Sequence, residues 1–481
     1  MTIPVIDVFA GPGGLNEGFS AHTSSAGVPT FETRASFELD PVACETLRLR
    51  AAVRAVRYND GELPREYYDF LRHQPHPRAF LESDTMRAAA KKALDEVVEL
   101  RLGEETRIIS DEIISARIGK REDWVLVGGP PCQAYSLVGR SRRSHDENFE
   151  DDHKHFLYRE YLHILEQHRP AVFVMENVKG MLSATHGGSS IFSRILRDLE
   201  SANYQIRSLV VGRPADGHSP SDFVIRSEHF GVPQRRHRVI LLGVRNDLAE
   251  KPSRLLERSS PVTVAESIGS FPKVRSTISP VRGDSEVEWA SIRGEAIALA
   301  TGGSLEGGPP DLGAPFVPWS FPERASKNAY SDWVADSRIG GVVQHHPRSH
   351  MRADLRRYAY MAAMSDDLDF PRLNELPVEL LPLHKNVGRS DTPFTDRFRV
   401  QVTGRPSTTV VSHIAKDGHY FIHPDPTQMR SLTVREAARL QSFPDDYFFC
   451  GPRTQQYHQV GNAVPPFLAK QIAEIVSDLL V

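Results

Sequence analysis

Short apolar runs of strand length alternate with stretches of helical period along the first half of the chain. Residues 3–9, 124–127 and 171–175 are apolar runs, and 33–39, 204–211 and 238–244 also read as strands. Between them, helical patterns begin near Asn16, at 41–50 with a proline near the start, and at 156–168. A last helical stretch, 465–480, is expected to return and pack on the first domain. Strands alternating with helices predict an α/β fold, a mostly parallel sheet with helices on both faces.

Two segments break that rhythm. Residues 84–102 form a charged helical pattern within an expected insertion at about 55–120. Residues 246–401 lack the strand–helix alternation and hold a Gly/Pro loop, 302–318, then a basic stretch with histidines, 345–357. The division expected is a catalytic and cofactor-binding domain at 1–245 and a second domain at 246–445. A C-terminal segment, 446–481, completes the first.

Composition changes this picture little. The 481 residues are 40% hydrophobic and 25% charged, with a formal net charge of -4, so any polyanion would have to meet a local basic surface. Three widely spaced cysteines, Cys44, Cys132 and Cys450, form no metal-ligand spacing, so no metal is expected, and they fit a reducing compartment. The first residues carry no basic and apolar signal pattern, and no apolar run approaches a membrane span. A cytoplasmic protein without a membrane partner is the expectation.

Candidate chemistry gathers where the strands end. The turn 7–15, Asp-Val-Phe-Ala-Gly-Pro-Gly-Gly-Leu, links the first strand to the first helix. Its glycines let backbone approach a ligand, although such turns are also common as pure structure, and it does not fit G-x-G-x-x-G. Phe9 could stack on a ring. Glu38, closing the second strand, stands where nucleotide folds hold ribose hydroxyls. Pro130-Pro131-Cys132-Gln133 follows the strand 125–127 and brings Cys132 to the same rim. The charged loop 137–152 after it could close over a substrate. The strand 173–178 delivers Glu176 and Asn177, and a carboxylate after four apolar residues is costly unless paired or catalytic. In 234–238, Arg236 and Arg238 alternate onto one face, where they could hold Glu176, a phosphate or a base carbonyl.

In this order the motifs resemble the DNA (cytosine-5) methyltransferase family, bacterial type, over nearly the whole chain outside the insertions. The glycine turn, Glu38, Pro130–Gln133, Glu176-Asn177-Val178 and Gln234-x-Arg236-x-Arg238 carry the first part of the resemblance. Residues 430–445 are similar to the family's ninth motif and 459–465 to its tenth. The resemblance implies a Rossmann-like S-adenosylmethionine-dependent domain with a smaller, irregular target-recognition domain. It implies methyl transfer from S-adenosylmethionine to carbon 5 of a flipped-out cytosine in double-stranded DNA, giving S-adenosylhomocysteine.

It further implies Cys132 as nucleophile, with Glu176, Arg236 and Arg238 as catalytic partners. Phe9, Gly11, Pro12, Gly13, Gly14, Glu38, Leu39, Pro131, Asn462 and Val464 would contact the cofactor. Gln133, Ser136, Arg140 and Gln234 would contact DNA, joined in the second domain by Arg348, Arg352, Arg356 and Arg357. The acidic residue expected to hold the adenine amine has two candidate places, Asp60 and the Gly103-Glu104-Glu105 region. A monomer, acting beside the nucleoid and in a restriction or phage-defence setting, is expected. A transfer-RNA cytosine methyltransferase would share the core but not the substantial 246–430 segment. A non-catalytic DNA-binding homologue would not need Cys132, Glu176 and Arg236. A nicotinamide oxidoreductase would not need Pro-Pro-Cys-Gln.

Overall fold

The computed structural model describes residues 2–131, 157–186, 189–212, 218–304, 310–321, 328–382 and 397–481. Eight strands among the described residues form its central sheet, and seven of them lie in one row: β1 (Ile3–Val8), β2 (Phe31–Glu38), β3 (Val97–Glu99), β4 (Val125–Gly128), β5 (Val172–Val178), β6 (Tyr204–Arg207) and β7 (His237–Arg245). Their order is β3-β2-β1-β4-β5-β7-β6, and a short strand, Val224–Arg226, pairs with β7. The first five run parallel, whereas β7 is antiparallel to both β5 and β6.

The apolar runs become the middle of this sheet for a simple reason. A parallel strand covered on both faces is apolar at nearly every position, not at every second one. All six residues of β1 are buried. Ile3 and Val5 face the helix Pro466–Leu480, while Ile6 and Val8 face the opposite layer with Trp124 and Tyr161. The C-terminal helix therefore returns to the first domain through Leu468, Ile472 and Val476.

Part of the expected insertion belongs to the sheet. β3 pairs with β2 (Ser36↔Val97, Phe37↔Val98, Glu38↔Glu99), and the helix Arg107–Ile118 packs beside it. The charged pattern at 84–102 is thus a helix, Arg87–Glu96, that runs directly into an edge strand of only three residues, too short to register as a period. The helices between 65 and 96 form a separate cluster around Tyr67, Phe70 and Phe80, which also takes in Ile339, Val343 and Phe448. Tyr68 Oη donates to Asp336 (2.8 Å) and Arg72 to the carbonyl of Ile339 (3.1 Å), so these helices tie the first domain to the second region.

The second region holds short strands and helices. Its two longest helices, Glu286–Thr301 and Arg352–Ala363, pack on each other around Trp289, Leu355 and Ala359. The ninth-motif helix, Val434–Leu440, is wholly buried and shares a core with Tyr457 and Val460. No helix among the described residues is long and apolar enough to cross a membrane.

Candidate active site

The turn after β1 is shaped by Glu38 and by left-handed backbone. Phe9, Gly11 and Gly13 have φ of 57°, 56° and 88°. Glu38 Oε2 accepts the N–H of Gly11 (2.7 Å), and Oε1 accepts those of Leu39 and Asp40 (2.8 and 2.9 Å). Three bonds leave the carboxylate about one acceptor site for a hydroxyl of a ligand. A Cβ on Gly11 would meet nothing within 4 Å, whereas one on Gly14 would lie 2.1 Å from the carbonyl oxygen of Val464. Gly11 therefore faces open space, and Gly14 lets the tenth-motif segment touch the first turn. Phe9 is half-buried and Pro12 buried, Leu39 is exposed beside Glu38, and Asn462 is exposed with its Nδ2 3.2 Å from His458 Nδ1.

Asp7, three residues before Ala10, is fully buried, and neither carboxylate oxygen has a partner. Burial, reinforced by the nearby Glu38 and Glu96 carboxylates, raises its pKa well above the usual range. The open space at Gly11 and the remaining acceptor site of Glu38 suit a ribose-bearing ligand such as S-adenosylmethionine.

Glu176 lies near the end of β5, beside the turn that follows β4. Asn177 Nδ2 donates to the carbonyl of Pro130 (3.3 Å) and its Oδ1 accepts the N–H of Val178 (2.8 Å), so the Pro-Pro turn is tied to the end of β5. A Cβ on Gly129 would lie 3.1 Å from Glu176 Oε2, so this carboxylate rests against the turn that leads into Cys132. Glu176 Oε1 is 2.9 Å from Arg238 Nε, in a pair with both side chains mostly shielded. Cys132, Gln133, Ser136 and Arg140 lie outside the described residues; Pro131, the last one before them, is exposed.

The two arginines divide their work. Arg238 holds Glu176, but Arg236 is buried and donates to the carbonyls of Val410 (2.9 Å) and Gly461 (3.3 Å). Burial, with the Arg238 charge beside it, lowers its pKa to about 9. It remains a cation at neutral pH, behind the Glu176–Arg238 pair.

Gln234 corrects the expectation of a DNA contact. It is fully buried, its Nε2 donates to the carbonyl of Leu440 (3.2 Å) and to Gln441, and its Oε1 accepts the N–H of Val410 (2.7 Å). Its amide satisfies backbone that joins the two regions. Arg348 and Arg357 are likewise built into the fold, through the carbonyl of Ile414 (2.6 Å) and through Asp354 and Leu380. Arg352 and Arg356 stand nearer the surface, Arg352 paired with Glu288 and Glu295, and Arg356 3.7 Å from Glu295.

The structure also brings Glu99 beside Glu38. It ends β3, opposite Glu38 in the register, and pairs with Arg48 (3.3 Å). Asp60 instead ends a 20-residue helix that starts beside Glu38, roughly 30 Å away along the axis. In the sequence, the strand Val97–Glu99 is hidden behind the helical pattern.

A family model described as C-5 cytosine-specific DNA methylase matches residues 104–288 and 340–478. The chain belongs to this family. It is a DNA (cytosine-5-)-methyltransferase, and the methyl donor of such enzymes is S-adenosylmethionine. It is 34% identical to type II methyltransferase M.Bpa9945I of Bacillus paralicheniformis, over 99% of both chains. It is 26% identical to M1.HphI of Haemophilus parahaemolyticus, over 99% of this chain and 87% of that one. In fold it resembles a structure assigned to a prophage-encoded DNA modification methyltransferase of E. coli (TM-score 0.58, 18% identity, 100% and 99% of the two chains covered).

Proposed function

We propose that the enzyme methylates a cytosine flipped out of double-stranded DNA, through a covalent bond between Cys132 and carbon 6 of the base. The observation that carries the reading is the Glu176 carboxylate, gripped by Arg238 and lying against the Gly129–Pro130 turn that precedes Cys132. Carbon 5 of cytosine is a weak nucleophile. Addition of the Cys132 thiolate to carbon 6 makes the ring an enamine, and Glu176 hydrogen-bonds the ring nitrogen at position 3 and shares the proton it gains there. Arg238 holds Glu176 in place for this, and the Arg236 and Arg238 cations favour the thiolate. S-adenosylmethionine supplies the methyl group to carbon 5. Loss of the carbon-5 proton to a base then returns an electron pair to the ring and expels the Cys132 thiolate, restoring the aromatic base.

Cys132 cannot reach carbon 6 inside a stacked duplex, so the base must leave the helix. The loop after Cys132, with Gln133, Ser136 and Arg140, would close on it. Phe9, Gly11, Gly13, Glu38, Leu39 and Pro131 would hold the cofactor with Asn462 and Val464, and Glu99 would take the adenine amine. The region 246–445 would recognise the target, with Arg352 and Arg356 as candidates to exchange their glutamate partners for phosphates. The test is DNA carrying 5-fluorocytosine at the enzyme's own site, located first by bisulfite sequencing. With methyl donor it should be trapped on the protein at residue 132, and the C132A enzyme should trap none. Absence of an adduct on the wild-type enzyme would overturn the reading.

A further inference from the structure

The cofactor turn is held from behind by the segment that follows the ninth-motif helix. Tyr447, fully buried, donates its hydroxyl to the carbonyl of Pro12. The N–H of the same peptide, on Gly13, donates to the carbonyl of Ala10 (2.9 Å). Both ends of the Pro12–Gly13 peptide are therefore fixed. A Cβ on Gly13 would stand 3.2 Å from Tyr447 Oη and 2.8 Å from Leu47 Cδ2, so the fit is close.

The ring is itself braced. The Arg50 guanidinium lies 5.0 Å from its centroid. Arg50 holds Glu17 through Nε and Nη2 (2.9 and 2.6 Å) and Asp446 through Nη1 (2.7 Å). Tyr67 Oη donates to the carbonyl of Asp446 (2.6 Å). The backbone of this segment is bound to the second region: Arg435 Nη2 donates to the carbonyl of Tyr447 (2.5 Å), and the N–H of Asp445 to that of Val334 (2.8 Å).

We propose that Tyr447 is a positioning residue for the methyl donor, its hydroxyl fixing the Pro12–Gly13 peptide so that the glycine turn is preformed for the cofactor. This rests on the assignment of that turn to S-adenosylmethionine. Without the hydroxyl the peptide is free to rotate, and the turn must be ordered at the expense of binding.

The experiment is Y447F, which keeps the ring and removes one oxygen. Calorimetric titration with S-adenosylhomocysteine should show Kd raised about tenfold, the size expected for one lost hydrogen bond to a buried carbonyl. In methylation of unmethylated plasmid DNA the KM for the donor should rise by a similar factor, with kcat and the KM for DNA within about twofold. D446N, which leaves the hydroxyl but loosens Arg50, should weaken cofactor binding by a smaller factor. Unchanged S-adenosylhomocysteine affinity in both variants overturns the proposal. So does a Y447F enzyme whose kcat falls while both KM values stay at the wild-type level, since that is a loss of folded enzyme and not of cofactor positioning. A wild-type protein that binds no S-adenosylhomocysteine would instead overturn the cofactor assignment itself.

Discussion

Arg238 Nε lies 2.9 Å from Glu176 Oε1, while Arg236, two residues earlier, turns its guanidinium to the carbonyls of Val410 and Gly461. Two arginines that a strand period places on one face thus bind different partners, one the Glu176 carboxylate and one the backbone at the seam between the regions. Substitution separates them. R238A should cut turnover by roughly 10²-fold while leaving the melting temperature near wild type. R236A should lose about 1–3 kcal/mol of stability, because two buried carbonyls lose their donor. Single-turnover methylation alongside urea unfolding distinguishes the two, and an R236A protein as stable as wild type would refute its structural role.

Glu176→Gln keeps the shape and removes the charge and the shared proton. Turnover should fall by about 10²-fold or more, the usual contribution of such a group. Binding of S-adenosylhomocysteine should be unaffected. Retained turnover in a burst assay would remove Glu176 from the mechanism.

Gly14→Ala puts a methyl group where Val464 has its carbonyl oxygen, 2.1 Å from the new carbon. That contact is with backbone, so relief requires the tenth-motif segment to move. The expected outcome is a cost of about 1–3 kcal/mol, as for other overpacked sites, together with weaker cofactor binding. G11A, with nothing within 4 Å but a left-handed φ of 56°, should be milder in stability and act mainly on cofactor affinity. Equal stability of G14A and wild type would sink the packing argument.

The three thiols should differ in reactivity. Cys44 and Cys450 are buried, and burial pushes both thiols up to about 12. A catalytic thiol must instead reach the thiolate near neutral pH. Brief treatment of the native enzyme with iodoacetamide should add one carbamidomethyl group, mapped by mass spectrometry to Cys132, in step with loss of activity. Early labelling of Cys44 or Cys450 would contradict this.

Stability should fall on the acid side. Burial lowers the pKa of His345 to about 4 and of His423 to about 3, the latter helped by Arg430. Both folded values lie below the ordinary histidine value of about 6.5, so the unfolded chain binds more protons as pH drops beneath it. Stability is full above that pH and is lost as pH falls from about 6.5 towards 4, by up to about 1.4 kcal/mol per pH unit for each group. Thermal unfolding at intervals from pH 7.5 to 4.5 measures the slope, and H345Q should flatten it. A melting temperature that stays level across that range would refute the prediction.

What the chain states locally, it states in its own order: short apolar runs such as Ile3–Val8 predict strands, and the glycine turn, Glu38 and Glu176 each stand at the end of an expected strand. The α/β class and the gathering of these groups on one rim follow from that alone, because parallel strands end on the same side. Three features depend on residues far apart in sequence meeting in space. Glu99 becomes a rim residue because three residues after a helix pair with β2. Gln234 is a seam and not a DNA contact because Val410, Leu440 and Gln441 close around it. Tyr447 reaches Pro12 across 435 residues of chain. Period and motif report a residue's immediate neighbours; which polar group satisfies a buried amide or carbonyl is settled only when the regions pack, and there the cost of an unpaired group selects the partner.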